Sequence, residues 1–216
     1  MCGRFSLFPY EDLPLRYNAS MAFSIQPRYN IAPSQESPVV WNDENGRYLS
    51  MMSWGILAGE RNIINIRQET IEQKKLFYDL LNNNRCLIPV SSFYEWKSTK
   101  VGKIPYLFYL GNMATFSLAG LWMHNDVSSQ NEFAVLTTKA EGEVSRVHNR
   151  MPVIIPQTSE AKWLQGSGDG VSNFIKSLSK TELKMHQVSP NVNDPKNENS
   201  KLIEPISQIE NWKNRK

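Results

Sequence analysis

The chain has 216 residues, of which 40% are hydrophobic and 21% charged, with a formal net charge of +3. This length suits one large domain or two small ones, and its core needs no disulfides or metal. Two cysteines, Cys2 and Cys86, are too few for a secreted disulfide scaffold. The first ten residues lack the apolar core of a secretion signal, and no run of about 18 apolar residues could span a membrane. We therefore expect a cytoplasmic protein, whose small positive charge permits a nucleic-acid partner without requiring one.

Runs of apolar, β-branched and aromatic residues bounded by turn residues predict strands. They cover 38–41, 47–54, 86–90, 105–110, 115–122, 132–138 and 152–156. Helices are predicted over 70–82, with Thr70 as a cap, and over 159–165 and 171–178. The polar segment from about 190 to 216 is expected to be partly irregular, with fraying over 210–216. Many short strands and few helices indicate an α+β fold, which we expect to be one domain over residues 1–216 with strongly twisted, barrel-like mixed sheets and peripheral helices.

The second residue offers the most distinctive chemistry. Cysteine and glycine are small, so we expect methionine aminopeptidase to remove Met1 and leave Cys2 at the N-terminus. An α-amine titrates at about 7.7–8.0, against about 10.4 for lysine, so a sizeable fraction is neutral at pH 7. Such an amine attacks an aldehyde to give an imine, and the adjacent thiolate can close a five-membered thiazolidine on the imine carbon. Cys2 is thus a candidate aldehyde trap; the alternative is a small, buried and inert cysteine.

Nine short motifs occur in order along the chain. They are MCGRF (1–5), RYNIAPSQ (28–35), SWG (53–55), NIRQET (65–70), RCLIPVSSFYEW (85–96), AGLW (119–122), LTTKA (136–140), HNRMPVII (148–155) and VSPNVN (188–193). Together they resemble the SOS-response-associated peptidase (SRAP) family of abasic-site processing proteins over nearly the whole chain. The resemblance implies a compact α+β domain that senses abasic sites in single-stranded DNA during the DNA damage response. It also implies a covalent thiazolidine crosslink between the N-terminal cysteine and the lesion.

Four catalytic residues follow from the resemblance: Cys2, Asn65, Glu95 and His148. An asparagine carboxamide donates and accepts hydrogen bonds, so Asn65 can orient the amine and the sugar hydroxyls. An abasic sugar must open to its aldehyde before it reacts, and the carboxyl group of Glu95 can move the protons that this requires. Imidazole groups titrate near neutral pH, so His148 can assist ring opening or reversal. The alternatives are an ordinary turn asparagine and a strand-edge glutamate.

DNA contacts are expected from residues within or beside the same motifs. A guanidinium binds a phosphate through two parallel hydrogen bonds, and a tryptophan stacks on any base. The expected contacts are Arg4, Arg67, Arg150, Trp54, Trp96 and Pro33. Each has a plainer interpretation as a surface arginine, a core tryptophan or a turn proline. No paired ligands occur at zinc-site spacing, so we expect no metal and no cofactor.

The sequence departs from the family pattern after SWG. Relatives often continue this motif with a proline and a second tryptophan, whereas here it runs through 56–60 (ILAGE) to Asn65. Ile66 replaces a smaller residue, and Gln68 stands where a serine is common. These differences put the DNA contacts of this loop in doubt but leave the four catalytic positions unchanged.

Three functions remain open from the residues. The first is the covalent abasic-site trap, which has a lyase-like chemistry. In this case we expect a monomer that binds single-stranded DNA in the cytoplasm, near the nucleoid and replication forks. The second is a thiol peptidase or hydrolase, in which Cys2 is the nucleophile and the protein removes its own Met1. The third is a single-strand binder without catalysis.

Overall fold

The computed structural model describes residues 2–9, 12–166 and 170–206. Within them the chain forms fifteen strands and four α-helices. The strands are β1 (Phe5–Leu7), β2 (Arg28–Ile31), β3 (Glu36–Asp43), β4 (Gly46–Trp54), β5 (Ile56–Ala58), β6 (Arg61–Ile63), β7 (Asn65–Arg67), β8 (Arg85–Val90), β9 (Ser92–Thr99), β10 (Gly102–Tyr109), β11 (Phe116–Asn125), β12 (Gln130–Lys139), β13 (Arg150–Pro152), β14 (Ile154–Ile155) and β15 (Lys184–Gln187). The helices are α1 (Leu13–Tyr17), α2 (Lys75–Asn83), α3 (Glu160–Gln165) and α4 (Val171–Ser177). Among the described residues no helix has the length and apolarity that a membrane span requires.

The larger sheet closes on itself. Its strands follow the order β13-β12-β4-β3-β8-β11-β14, and β11 also pairs with β12, which joins β12, β4, β3, β8 and β11 into a ring. The ring is mixed, because β4 and β7 run parallel to β12 whereas the other pairings are antiparallel. Closure removes the free edges that an open sheet would present to other chains. The predicted α+β fold with barrel-like mixed sheets is confirmed.

A second sheet of five strands lies beside the ring, in the order β15-β10-β9-β1-β2. Its strand β9 alternates sides as a strand must. Phe93 packs in the main core, where its ring stacks on Phe108 at 5.2 Å. Tyr94 belongs to a small second cluster formed with Leu107 and the segment that carries Val192. The second sheet therefore separates the main core from the C-terminal segment.

The helices agree with the predictions at α3 and α4, but the predicted helix over 70–82 is wrong at its start. Residues Gln68–Gln73 form a 3₁₀ helix, and α2 begins only at Lys75. Thr70 therefore lies inside the 3₁₀ helix and does not cap α2. The apolar face of α2 is as predicted, with Phe77, Leu80 and Leu81 buried.

The predicted strand over 152–156 is divided in two. Val153 donates a backbone hydrogen bond to Leu136 of β12 and accepts one from Ala119 of β11. The chain thus changes partner at this residue, from β12 before it to β11 after it. The C-terminal segment contains short 3₁₀ helices at Pro190–Asn193 and Ser200–Ile203. Residues 210–216, where fraying was predicted, lie outside the described residues, and one domain over 1–216 stays a prediction.

Candidate active site

The two sheets contribute two residues each to one site. Cys2 lies just before β1, and Glu95 lies on β9, the strand that pairs with β1. Asn65 begins β7, and His148 lies just before β13, so both are carried by strands that pair with β12. Asn65 contacts Cys2, His148 lies 3.9 Å from Glu95, and the charge of Glu95 acts on the Cys2 thiol. Residues far apart in sequence therefore converge where the two sheets meet.

The Cys2 side chain is fully buried, and its Sγ lies 4.0 Å from the carbonyl oxygen of Arg4. Burial raises the pKa of the Cys2 thiol, and the nearby negative charge of Glu95 raises it further. The thiol is consequently protonated in this state. A group that removes its proton is needed before sulfur can act as a nucleophile.

Asn65 contacts the main chain of Cys2. Its Nδ2 donates a 2.7 Å hydrogen bond to the Cys2 carbonyl oxygen. Its Oδ1 is buried and has no hydrogen-bond partner among the described residues. A buried acceptor without a partner is costly, so this oxygen is available to an N–H or O–H group that enters the site.

Glu95 is almost completely buried, at 2% exposure. Since alternate residues of a strand face opposite sides, its carboxylate lies on the Phe93 side of β9. Burial raises the pKa of Glu95, while the charge of His148 opposes that effect. Its Oε1 lies 3.9 Å from Nδ1 of His148. A carboxyl group of this kind can exchange protons nearer to neutral pH than a solvated one.

His148 is held against its own strand. Its Nδ1 accepts a 3.0 Å hydrogen bond from the backbone N–H of Arg150, an arrangement that favours the Nε2-protonated tautomer of the neutral ring. The same Nδ1 lies 3.1 Å from the Arg150 carbonyl oxygen, an acceptor that becomes usable when Nδ1 is protonated. The side chain is 28% exposed, so the ring connects the buried carboxylate with the outside.

Of the three arginines predicted to bind phosphate, Arg67 is the one with an exposed side chain. Asn65 and Arg67 lie on the same side of β7, with Ile66 buried on the other side. Arg67 therefore extends from the site toward solvent. Its role in binding DNA stays a prediction.

Arg4 has a different environment from the predicted one. Its guanidinium is buried and donates to Asn30 Oδ1 and to the Val192 carbonyl oxygen, both at 2.7 Å. Burial lowers the pKa of Arg4. The side chain connects β2 with the C-terminal segment, so a phosphate would have to compete with these partners for Arg4. The DNA contact of Arg4 stays a prediction.

Arg150 is also engaged within the protein. Its Nη1 and Nη2 donate to the two carboxylate oxygens of Glu69 at 2.7 and 3.0 Å. Nη2 also donates to the carbonyl oxygen of Thr137 at 2.6 Å. Because these bonds occupy both terminal nitrogens, a phosphate would have to compete with Glu69 for Arg150.

The two predicted base-stacking tryptophans do not border the site. Trp54 is fully buried, packs against Phe5 at 4.8 Å and donates to the Ile64 carbonyl oxygen. It is a core residue, and stacking on a base would require the core to open. Trp96 is partly exposed but lies on the opposite side of β9 from Glu95, where its Nε1 donates to Asn193. Trp96 therefore packs on the C-terminal segment, away from Glu95.

Pro33 begins a tight turn between β2 and β3. The following residue, Ser34, has a left-handed backbone with φ of 68°. The Ser34 hydroxyl accepts a hydrogen bond from Asn62 Nδ2, which fixes the turn to β6. Gly55 allows this approach, because a Cβ at that position would lie 1.8 Å from the Asn62 side chain. The expected contact between Pro33 and DNA stays a prediction.

Sequence reasoning missed Glu69, although it lies inside the NIRQET motif. It also missed a groove of about 790 Å³ that is bordered by Gln68, Met151 and Leu183. None of the four candidate catalytic residues borders this groove. Among the described residues no group of three or more His, Cys, Asp or Glu side chains could hold a metal ion.

The fold and the site together define an α+β protein with a barrel-like ring and a cysteine–asparagine–glutamate–histidine cluster at its N-terminus. Comparison with known families gives a more specific assignment. Residues 1–195 match the model of the family described as SOS response associated peptidase (SRAP). The chain belongs to this family.

Curated relatives and solved structures agree with the assignment. Abasic site processing protein YoqW of Bacillus subtilis is 33% identical over 222 aligned residues, which cover 94% of this chain and 99% of the relative. Abasic site processing protein HMCES of Gallus gallus is 24% identical over 84% of this chain and 67% of its own length. A crystal structure of a protein from Bacteroides thetaiotaomicron superimposes with a TM-score of 0.80 at 18% identity, covering 95% of this chain and 100% of that chain. The structural match supports the fold alone.

Proposed function

We propose that this protein, once Met1 is removed, captures abasic sites in single-stranded DNA as a thiazolidine on Cys2. The observation that carries the proposal is the convergence of Cys2, Asn65, Glu95 and His148, linked by the 2.7 Å Asn65–Cys2 bond and the 3.9 Å His148–Glu95 separation. The relatives named as abasic site processing proteins support the same class of substrate. We infer that the protein acts as a monomer in the cytoplasm, where it protects lesions at the nucleoid and at replication forks.

The chemistry balances with one water lost. The neutral α-amine of Cys2 attacks the C1′ aldehyde of the opened deoxyribose, and loss of water from the carbinolamine gives an imine. The Cys2 sulfur then bonds to the same carbon, and its proton is transferred to the former imine nitrogen. The product contains new C–N and C–S bonds, no change in oxidation state and no further co-reactant.

Each neighbouring side chain has a role in this series of reaction steps. Protonated Glu95 delivers a proton to the departing oxygen, and its carboxylate then accepts the thiol proton. Burial supports this assignment, because it raises the pKa of Glu95 and makes the protonated form accessible closer to neutral pH. The buried Asn65 Oδ1 can accept a hydrogen bond from the amine or from a sugar hydroxyl. His148 transfers protons between the buried carboxylate and the exterior.

A thiol peptidase, the second candidate, has one finding in its favour, which is the description of the family itself. The environment of Cys2 is unfavourable for a thiol peptidase. Thiol hydrolases depend on a thiolate whose pKa is lowered by a positive neighbour, whereas burial and Glu95 raise the pKa of this thiol. The aldehyde trap does not need a preformed thiolate, because the amine attacks first.

Substitution of Cys2 tests the proposal directly. The Cys2→Ser variant retains the α-amine and loses the thiol, so it should form an imine that borohydride traps but no adduct that survives denaturation without reduction. Cys86→Ser is a suitable control, since Cys86 is buried elsewhere in the core. A stable adduct from Cys2→Ser at the level of the unmodified protein would contradict the thiazolidine. Cleavage of a peptide panel that depends on Cys2, with no DNA adduct, would favour the peptidase.

A further inference from the structure

Glu69 forms a paired salt bridge with Arg150. It lies in the 3₁₀ helix Gln68–Gln73 directly after β7, and both of its carboxylate oxygens accept hydrogen bonds from the Arg150 guanidinium. Partial burial alone would raise the pKa of Glu69, but the hydrogen bonds and charge of Arg150 hold it below its usual range. The carboxylate is therefore ionised throughout the neutral range. Paired hydrogen bonds of this type fix geometry as well as contribute energy.

The Arg150 side chain crosses one strand to make this contact. β12 lies between β7 and β13, with Thr137 opposite both Arg67 and Pro152. Arg150 starts on β13, passes the Thr137 carbonyl oxygen at 2.6 Å and ends on Glu69 beyond β7. β7 and β13, the two strands that flank Thr137 of β12, are thus tied together.

The main chain of Arg150 contacts the His148 ring at Nδ1. Its N–H donates to His148 Nδ1 at 3.0 Å, and its carbonyl oxygen lies 3.1 Å from the same nitrogen. A displacement of this residue therefore moves the imidazole relative to Glu95, which is 3.9 Å away. Positioning errors of about 1 Å can cost on the order of 100-fold in rate.

We propose that Glu69 is a positioning residue for His148 and acts through Arg150. This inference rests on the proposed function, and it assigns to Glu69, the acidic residue of the NIRQET motif, a role that involves contact with neither DNA nor sugar. Glu69 holds the guanidinium, the guanidinium holds residue 150, and the backbone of residue 150 holds the ring, with its N–H favouring the Nε2-protonated tautomer.

A different role for the same pair makes opposite predictions. If Glu69 simply occupied Arg150 until a phosphate replaced it, then removing the Glu69 charge would free Arg150 and tighten DNA binding. If Glu69 positions His148, its removal should slow the reaction and leave affinity nearly unchanged. The two roles are separated by measuring rate and affinity independently.

The first arm of the experiment needs no DNA. Nitrogen-15 NMR of the full, methionine-free chain reports which ring nitrogen of His148 carries the proton. With three histidines in the sequence, His148→Gln assigns the resonance. We expect a predominantly Nε2-protonated ring in the unmodified protein and a mixture of tautomers in Glu69→Gln. Glu72→Gln, at an exposed position of the same 3₁₀ helix, should leave the signal unchanged.

The second arm separates rate from affinity. Affinity is measured on single-stranded DNA with a tetrahydrofuran abasic analogue, which cannot form an aldehyde, and the single-turnover crosslinking rate is measured on a true abasic site. Glu69→Gln should slow crosslinking by about tenfold or more, with affinity within about twofold. The double variant Glu69→Gln/Arg150→Ala should crosslink no more slowly than Arg150→Ala alone. The reason is that Glu69 acts on His148 only through Arg150. Glu69→Asp, which retains the charge, should recover part of the rate.

The tautomer, the crosslinking rate and the DNA affinity together show whether Glu69 positions His148. Tighter DNA binding by Glu69→Gln at an unchanged rate would overturn the positioning role, as would an unchanged tautomer and rate in a variant that melts normally. Additive losses in the double variant would also overturn it. If the unmodified protein forms no crosslink, the proposed function fails, whereas the tautomer measurement still decides the role of Glu69.

Discussion

The side-chain amide of Asn65 donates a 2.7 Å hydrogen bond to the main-chain carbonyl oxygen of Cys2. This contact ties Cys2 to β7, a strand of the other sheet. It fixes the plane of the carbonyl next to the Cys2 α-carbon, which carries the nitrogen and the thiol side chain. A terminus that would otherwise fray is thereby ordered beside Glu95. The position of the Cys2 main chain thus depends on a tertiary contact with β7 as well as on local structure.

Glu95→Gln tests the proton transfer. The amide has nearly the same shape but cannot exchange a proton, so crosslinking should slow by about 100-fold or more, a typical contribution of general acid–base catalysis. Affinity for the tetrahydrofuran analogue should change little, because Glu95 is buried. The measurement is the single-turnover rate beside an equilibrium titration. Equal losses in rate and affinity would indicate that Glu95 only holds the DNA in position.

The same substitution should change stability in a pH-dependent way. Burial raises the pKa of Glu95 in the folded state, so the folded protein holds this proton more tightly than the unfolded chain does. The stabilising contribution is complete below the unfolded pKa, which is about 4.3 for a glutamate, and is lost as pH rises through the folded pKa. The melting temperature of Glu95→Gln minus that of the unmodified protein should therefore increase as pH rises from about 4 to 7.

The control for this effect is Glu72→Gln, since Glu72 is exposed. Its difference from the unmodified protein should be small at every pH. A stability difference for Glu95→Gln that is constant with pH, or that grows toward acid, would show that burial does not dominate the environment of Glu95.

Arg67→Ala tests the predicted phosphate contact. The exposed side chain lies on the same side of β7 as Asn65, and it is the one of the three predicted arginines whose side chain is exposed. Loss of one phosphate contact should weaken single-strand binding and lower the slope of log K against log salt by about 0.7. Lys100→Ala removes an equal charge from the turn after β9 and should leave the slope unchanged. If Arg67→Ala has the same slope as the unmodified protein, Arg67 does not contact a phosphate.

The longer strands could be predicted because side chains of β3, β8, β11 and β12 fill the main core and leave a strong apolar pattern. The three-residue strand β7 has no such pattern, since one of its residues is apolar, and it is defined by parallel pairing with β12. The 3₁₀ start before α2 was missed for a related reason. Local propensity favours a helix over the whole segment, whereas tertiary contacts decide where it begins.

At the site, the motifs predicted which residues converge but not how each one is engaged. Arg4 and Arg150 have partners that are distant in sequence, Val192 and Glu69, and no spacing rule reveals them. The two tryptophans differ for the same reason. A strand pattern shows that Trp96 and Glu95 face opposite sides, but only the packing of Phe5 shows that Trp54 is enclosed.

The most direct test is the intact mass of the purified protein before and after incubation at neutral pH with a single-stranded oligonucleotide that carries one abasic site. We expect a chain that lacks Met1 and then gains the mass of the oligonucleotide minus one water. A variant with one residue inserted before Cys2 should gain nothing, because its Cys2 nitrogen is an amide. An unmodified mass in the methionine-free protein, or an equal adduct on the extended chain, would contradict capture by the N-terminal aminothiol.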